Sequence, residues 1–247
     1  MTGFMDQAGF EQVRTWLNQT CGFTFPADKS DLLRQRMARV LRRFDLADLN
    51  HLAQELSRAG ARDLQLAVMS AASINHTYFF REPEVLERFA DIALPTFQDR
   101  PEFRIWSAAC SSGEEAFTLA IMLAERLTPD VLQRVSILGT DISAPMIDRA
   151  ELSVFSSQQV SKIEKPILQG WFEPTGIAQH RVKSELRNVC TFRRMNLKAT
   201  PYPFTKPFQA IFCRNILYYF DRKDQAQTVR SLYDVVEPGG WLVTSVT

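Results

Sequence analysis

Three stretches of the 247-residue chain carry side chains suited to holding a polar ligand. The first is Ala108-Ala109-Cys110-Ser111-Ser112-Gly113-Glu114-Glu115, which follows an apolar run and precedes a helical one. Small residues let the backbone approach a ligand closely, and the next helix offers free N–H groups at its start. The run holds one glycine, so it is not the GxGxxG of a dinucleotide fold, and by spacing alone it is equally an ordinary tight turn. The second is Asp141, at the end of another apolar run. A carboxylate there can accept two hydrogen bonds from a ribose diol, or it can cap the helix that begins near Pro145, with Ser143 competing for that job. The third is Arg214-Asn215, just past the apolar Phe212-Cys213. Cys21, Cys110, Cys190 and Cys213 form no CxxC pair, and His51, His76 and His180 are far apart. No metal-ligand spacing results, and the cysteines read as small buried residues of a reducing cytosol.

These stretches need a frame. Arg104 to Ala109 and Val135 to Gly139 are short apolar runs, each followed by a helical pattern, the first reaching Leu127 and the second spanning Pro145 to Leu152. Phe208 to Cys213 and Trp241 to Val246 are further buried-strand candidates, with Pro238-Gly239-Gly240 marking a turn before the last. Strand, turn, helix repeated in this order predicts an α/β, doubly wound parallel sheet, whose ligands bind at the carboxyl ends of the strands. Residues 153–190 break the rhythm and predict an insertion, with short strands near Trp171-Phe172 and from Arg181 to Leu186.

The first hundred residues read as helical. Val13, Trp16 and Leu17 mark a first helix ending near Cys21-Gly22; Asp28 and Ser30 are candidate caps for a second. That second helix places Leu33, Met37, Val40, Leu41 and Phe44 on one face at a 3.6-residue period. Asp48 to Ala59 and Arg62 to Ala72 give two more. With 45% apolar residues the chain can build a large core. A net charge of +1 gives no global bias toward nucleic acid or a membrane surface. No apolar run reaches the roughly 20 residues that span a bilayer, and the N-terminus lacks a secretion signal, so the expected location is cytoplasmic, without membrane insertion.

Four segments, read together, resemble the CheR family of chemotaxis receptor methyltransferases. They are Ile74-Asn75-His76-Thr77-Tyr78-Phe79-Phe80-Arg81, the run from Trp106 to Glu115, Gly139-Thr140-Asp141-Ile142, and the run from Ile211 to Asp221. The resemblance covers nearly the whole chain and implies S-adenosyl-L-methionine as cofactor, S-adenosyl-L-homocysteine as its product, and a protein-glutamate O-methyltransferase activity. It implies that Asn75, Thr77 and Arg81 contact the cofactor from the junction between a helical and a sheet domain. Gly113 belongs to the turn, Glu115 and Asp141 hold polar groups, Asn196 and Leu197 flank the adenine, and Arg214 and Asn215 line the methyl-transfer side. Arg81 and Tyr219 are the implied catalytic pair; the plain alternative for Arg81 is a surface ion pair with Glu82 or Glu84. The Asn-Pro-Pro-aromatic segment of many N-methyltransferases is absent here, which argues against DNA or amine acceptors. A glutamate, with a side-chain pKa of about 4.3, is ionised at neutral pH and needs no general base.

The same resemblance divides the chain into a helical receptor-docking domain, 1–73, a connecting segment and helix, 74–101, and a class I (Rossmann-like) methyltransferase domain, 102–247, with 153–190 as an inserted antiparallel subdomain. The final strand pair of the family is not within the sequence. Arg36, Arg39 and Arg43 form a stripe beside the apolar face of the second helix. The stripe is either a solvated face or a docking site for the cytoplasmic domain of a methyl-accepting chemotaxis receptor. On the docking reading, changing Arg36, Arg39 and Arg43 to Glu weakens receptor methylation and leaves cofactor affinity intact. The turn Glu173 to Gln179 is shorter than in family members that grip a receptor C-terminal pentapeptide, which predicts independence of that tether. A small-molecule O-methyltransferase and a non-catalytic cofactor-binding regulatory module stay open as alternatives.

Overall fold

A computed structural model describes residues 2–25, 29–96 and 100–245. Four helices open the chain: α1 (Thr2–Cys21), α2 (Ser30–Arg43), α3 (Leu49–Leu56) and α4 (Arg62–Ala72). Their apolar stripes meet through Val13, Leu17, Leu33, Met37, Leu52 and Val68, as the 3.6-residue spacing requires. Leu41 and Phe44 are only partly buried against that cluster. Of the two caps expected for α2, Asp28 lies outside the described residues, and Ser30 is the first helical residue, preceded by Lys29 with no side-chain cap. Asp48 caps α3, accepting the His51 N–H at 2.8 Å.

After α5 (Pro83–Ile92) come β1 (Phe103–Ala108), α6 (Glu114–Ala124), α7 (Pro129–Leu132), β2 (Val135–Asp141) and α8 (Ala144–Leu152). Beyond an insertion follow β6 (Cys190–Arg194), β7 (Phe208–Cys213), α12 (Arg222–Tyr233) and β8 (Val236–Thr244). The five core strands lie in the order β6-β2-β1-β7-β8, and every pair is parallel. Strand order reverses beside β1, so the crevice at the carboxyl ends of β1 and β7 is the topological switch point.

Side chains alternate across the sheet. Ile105, Ala210 and Phe212 face α5, α6 and the insertion, while Trp106, Ile211 and Cys213 join the core of the four N-terminal helices. One continuous core therefore joins that face of the sheet, through Tyr202, Phe220 and Leu232, with the N-terminal helices. Trp106 packs among Tyr202, Phe204 and Phe208 and donates its indole N–H to the Thr140 hydroxyl at 2.9 Å.

The insertion departs in detail from the sequence expectation. It contains β3 (Val154–Ser156), α9 (Ser157–Val160), α10 (Lys165–Trp171), β4 (Phe172–Pro174), β5 (Gln179–Val182) and α11 (Ser184–Val189), with an antiparallel sheet in the order β3-β5-β4. The second expected strand stops at Val182, because residues 184–189 form a helix that buries Leu186. Trp171 ends a helix rather than starting a strand. Ser156 and Gln159 form a reciprocal capping box at the start of α9. Pro238-Gly239-Gly240 also changes meaning: it lies within β8 as a bulge between the Phe208 and Ala210 pairings, with Gly239 at φ +80°. No described helix is long and apolar enough to cross a membrane.

Candidate active site

The carboxyl ends of β1, β2 and β7 open into one cleft of about 880 Å³, its mouth included. Arg81, Asp141 and Arg214 all line it, as do Asn75, Thr77, Glu115, Asn196, Leu197 and Asn215. Segment 73–81 forms the roof, and Cys21 and Phe23, where the chain leaves α1, form part of the wall.

The backbone here is strained at named places. Phe80, Glu82, Ala109, Ser111 and Asn215 all have φ between +50° and +68° without being glycine. Such residues each cost about 1–3 kcal/mol and persist where the surroundings over-determine them. Gly113 takes φ +94° at the start of α6, and a Cβ there would sit 3.0 Å from the Ala150 Cβ. It shapes the turn and is not among the residues lining the cleft. The roof is tied down by the Phe80 N–H, donated to the Thr118 hydroxyl at 3.1 Å, and by the Ser111 hydroxyl, donated to the Asn75 carbonyl at 3.5 Å.

Asp141 is buried, and each oxygen accepts one backbone N–H at 2.9 Å, Ser111 on Oδ2 and Ser143 on Oδ1. Burial pushes its pKa up and these bonds pull it back. Each oxygen keeps lone-pair capacity for a ligand. Ser143 heads α8 without making a side-chain cap.

Arg214 is the electrostatic centre. Its side chain is 2% exposed. Nη1 donates to Glu115 at 3.2 Å, and Nη2 donates to Glu82 at 3.1 Å and to the Arg81 carbonyl. Its Nε is buried with no protein partner among the described residues, a donor that a bound polar group would satisfy. Glu115 also accepts the Ser107 hydroxyl at 2.6 Å; burial raises its pKa, and the Arg214 charge opposes that rise. Glu82 accepts the Asn215 amide at 2.9 Å. Burial would raise its pKa, but the bonds from Asn215 and Arg214 hold it below the ordinary carboxylate value.

Glu82 is the site residue that sequence reasoning missed, having been weighed only as a surface partner for Arg81. An acidic residue just before Pro83 reads as a routine helix start. Only the fold brings it to the Arg-Asn pair 132 and 133 positions later. Arg81 does approach Glu82, at 3.8 Å, while lining the cleft and donating to the His76 carbonyl at 3.0 Å.

Two expected residues stand differently. Asn196 turns its side chain away: Nδ2 donates to the Thr20 carbonyl at 2.7 Å and Oδ1 accepts the Lys198 N–H. Tyr219 lines a neighbouring hollow with Phe23, Thr24 and Ile74 rather than the cleft. Its hydroxyl accepts from Tyr218 at 3.1 Å, and burial raises its pKa against the pull of Arg81 and Arg36. The arginine stripe is divided too. Arg39 and Arg43 are exposed, but Nη1 of Arg36 donates to the carbonyls of Ala71, Ala72 and Ser73 at 3.4, 3.0 and 2.8 Å, capping α4 just before the roof.

A family model described as CheR methyltransferase, SAM binding domain, matches residues 75–245, and one described as CheR methyltransferase, all-alpha domain, matches residues 8–70. Chemotaxis protein methyltransferase 1 of Vibrio cholerae is 31% identical over 232 residues, 92% of this chain and 84% of the relative. Chemotaxis protein methyltransferase of Escherichia coli K12 is 30% identical over 242 residues, 96% and 83%. A SAM-dependent methyltransferase from Geobacter sulfurreducens, solved with S-adenosyl-L-homocysteine, aligns over 73% of this chain and 54% of its own at 14% identity, with a TM-score of 0.39. At that score the likeness adds nothing to the assignment, which rests on sequence. The fold, cleft and matches define an S-adenosylmethionine-dependent methyltransferase. Within that class, the chain belongs to the CheR methyltransferase family.

Proposed function

We propose that this enzyme esterifies glutamate side chains on the cytoplasmic domain of a chemoreceptor-like protein. The observation that carries the reading is a cleft whose charged rim suits an acid and whose residues include no assembled base. Arg81 lines the cleft, and Arg36 lines a neighbouring hollow together with Asn75 and His76. His76 packs its ring 5.8 Å from Tyr78 and makes no side-chain bond to a carboxylate or thiol among the described residues. An ionised glutamate is already nucleophilic, so this chemistry asks the protein for alignment rather than proton abstraction.

The residues present fit the cofactor. Asp141 retains acceptors for a ribose diol, Leu197 supplies an apolar wall, and the Arg214 Nε is a buried donor awaiting a partner. When bound, the cofactor supplies an electrophilic methyl group on a sulfonium leaving group. Asn75 and Thr77, which line the cleft from segment 73–81, would hold its polar groups. Glu115 pairs with Arg214, and Asn215 donates its amide to Glu82, so the two would fix the charged cluster that lines the methyl-transfer side. Arg81 pairs with a carboxylate, the cofactor's or the acceptor's. Tyr219, held behind Arg81 with its hydroxyl on Tyr218, acts by shaping that arginine's surroundings rather than by touching the reacting atoms.

The decisive test is transfer of labelled methyl groups to a chemoreceptor cytoplasmic domain, with release of the label by mild alkali as an ester releases it. Alkali-stable label, or none on the receptor while a small acid is methylated, rejects the reading. Docking falls to Arg39 and Arg43, with α2 presenting them to an acidic receptor helix. The insertion's β4–β5 turn closes tightly, with the Thr175 N–H donated to the Gln179 carbonyl at 2.9 Å. Calorimetry with a receptor C-terminal pentapeptide is expected to show no binding at micromolar concentrations; a measured micromolar Kd would overturn that part.

A further inference from the structure

We propose that Lys198 and Asn196 are positioning residues of the cofactor cleft, fastening its 196–198 wall to the last turn of α1. The inference rests on reading the cleft as the cofactor's seat. The last carbonyls of a helix have no intrahelical N–H to accept, and a cation or amide donor nearby satisfies them. Here the Thr20 carbonyl accepts Asn196 Nδ2 at 2.7 Å, and the Asn18 carbonyl, which already accepts the Gly22 N–H at 2.8 Å, takes Lys198 Nζ as a second donor at 2.8 Å. The loop is closed on itself, because Asn196 Oδ1 accepts the Lys198 N–H at 3.0 Å. Lys198 Nζ also pairs with Asp224 on α12 at 2.5 Å, with that carboxylate 9% exposed. Leu197, which lines the cleft, sits between the two anchors.

The α1 end is fixed from the other side as well. Gly22 takes φ +77°, and a Cβ there would meet the Phe220 ring at 3.2 Å and Asp224 Oδ2 at 3.3 Å. The chain can therefore leave α1 close against α12 and present Cys21 and Phe23 to the cleft. The helical domain is thus part of the cofactor site and not only a surface for a partner. Lys198 makes this a charge-assisted joint: its ammonium serves a helix end and a carboxylate, and its backbone N–H closes the loop.

The test measures S-adenosyl-L-homocysteine binding to the full chain by calorimetry, with steady-state kinetics alongside. Lys198→Met is expected to raise the Kd about 3–10-fold, the loss of one or two hydrogen bonds, while kcat at saturating cofactor and the KM for the acceptor stay unchanged. Lys198→Arg should recover most of the affinity. If Lys198→Met does not fold, Asn196→Ala, which removes both the Thr20 bond and the bond from the Lys198 N–H, carries the same expectation for the Kd. A Kd within twofold of the parent in these folded variants, or a rise confined to the acceptor KM, overturns the proposal. Asp141→Asn separates the two readings. If it weakens binding while the Lys198 and Asn196 variants do not, only the joint is refuted; if it binds normally, the cofactor does not sit in this cleft and both readings fall.

Discussion

Arg214 at the end of β7 and the arginines of α2 are the same residue type in opposite situations. The Arg214 side chain is 2% exposed and contacts Glu82, Glu115 and a main-chain carbonyl. Arg39 and Arg43 are exposed, and no carboxylate lies within ion-pair distance of either among the described residues. The comparison teaches that position, not type, decides what an arginine does. A buried guanidinium is tolerable only because two carboxylates compensate its desolvation, so it specifies local geometry. An exposed one contributes little to stability and acts at a distance, on whatever arrives. Arg36 stands between, half-buried and used as a helix cap, while sharing the stripe with Arg39.

The largest expected effect tests the buried end of this comparison. Arg214→Met leaves Glu115 without its ion-pair partner and Glu82 with only the more distant Arg81. Breaking a buried pair in this way costs about 3–5 kcal/mol, measurable by urea denaturation, and methyl transfer should fall below detection. A loss under about 1 kcal/mol would mean that the cluster is solvated in solution and that the contrast with α2 is overstated.

A smaller effect sharpens the middle of the comparison. Arg36→Ala removes bonds to three carbonyls at the end of α4, which should lower stability by about 1–2 kcal/mol and weaken S-adenosyl-L-homocysteine binding through the roof. Arg39→Glu with Arg43→Glu should leave stability within about 0.5 kcal/mol and cofactor binding unchanged, while raising the acceptor KM and abolishing its salt dependence. The charge reversal of all three arginines then mixes two effects. Identical behaviour of Arg36→Ala and the Arg39/Arg43 pair would return Arg36 to the docking surface.

The sheet was legible because its signals are local and redundant: short apolar runs, small-residue turns and helical periods all agree, and Phe208–Cys213 matches its expected span. The cleft positions of Asp141, Glu115 and Arg214 were legible because each lies at or shortly after a strand end in sequence. The insertion was harder to read. Three-residue strands carry too little pattern, and Ser184–Val189 offers a helix of six residues with no side-chain cap. Glu82 and Lys198 were not legible at all, since each acquires its meaning from partners that only tertiary folding supplies, Arg214 and Asn215 for one, Asn18 and Asp224 for the other. The split of the arginine stripe has the same cause: helical spacing places Arg36 beside Arg39, but only the end of α4 decides that one of them is occupied.

The smallest effect concerns protons and again separates the buried cluster from the stripe. Burial raises the pKa of Glu114, Glu115 and Asp141. Between the ordinary carboxylate value, about 4, and these raised values, the folded state binds more protons than the unfolded chain. Stability therefore falls as pH rises through that window and levels off above it. Glu82 has the opposite sign: its depressed pKa contributes stability that is present above the ordinary value and is lost as pH falls through the folded one. Urea denaturation at intervals from mildly acidic to neutral pH should show the negative slope in the parent. Glu115→Gln should flatten it by at most one proton, about 1.4 kcal/mol per pH unit. Arg39→Gln, which faces no carboxylate, should leave the slope unchanged. An unaltered slope in Glu115→Gln would assign the titration to Glu114 and Asp141 and show that Arg214 already holds Glu115 ionised throughout.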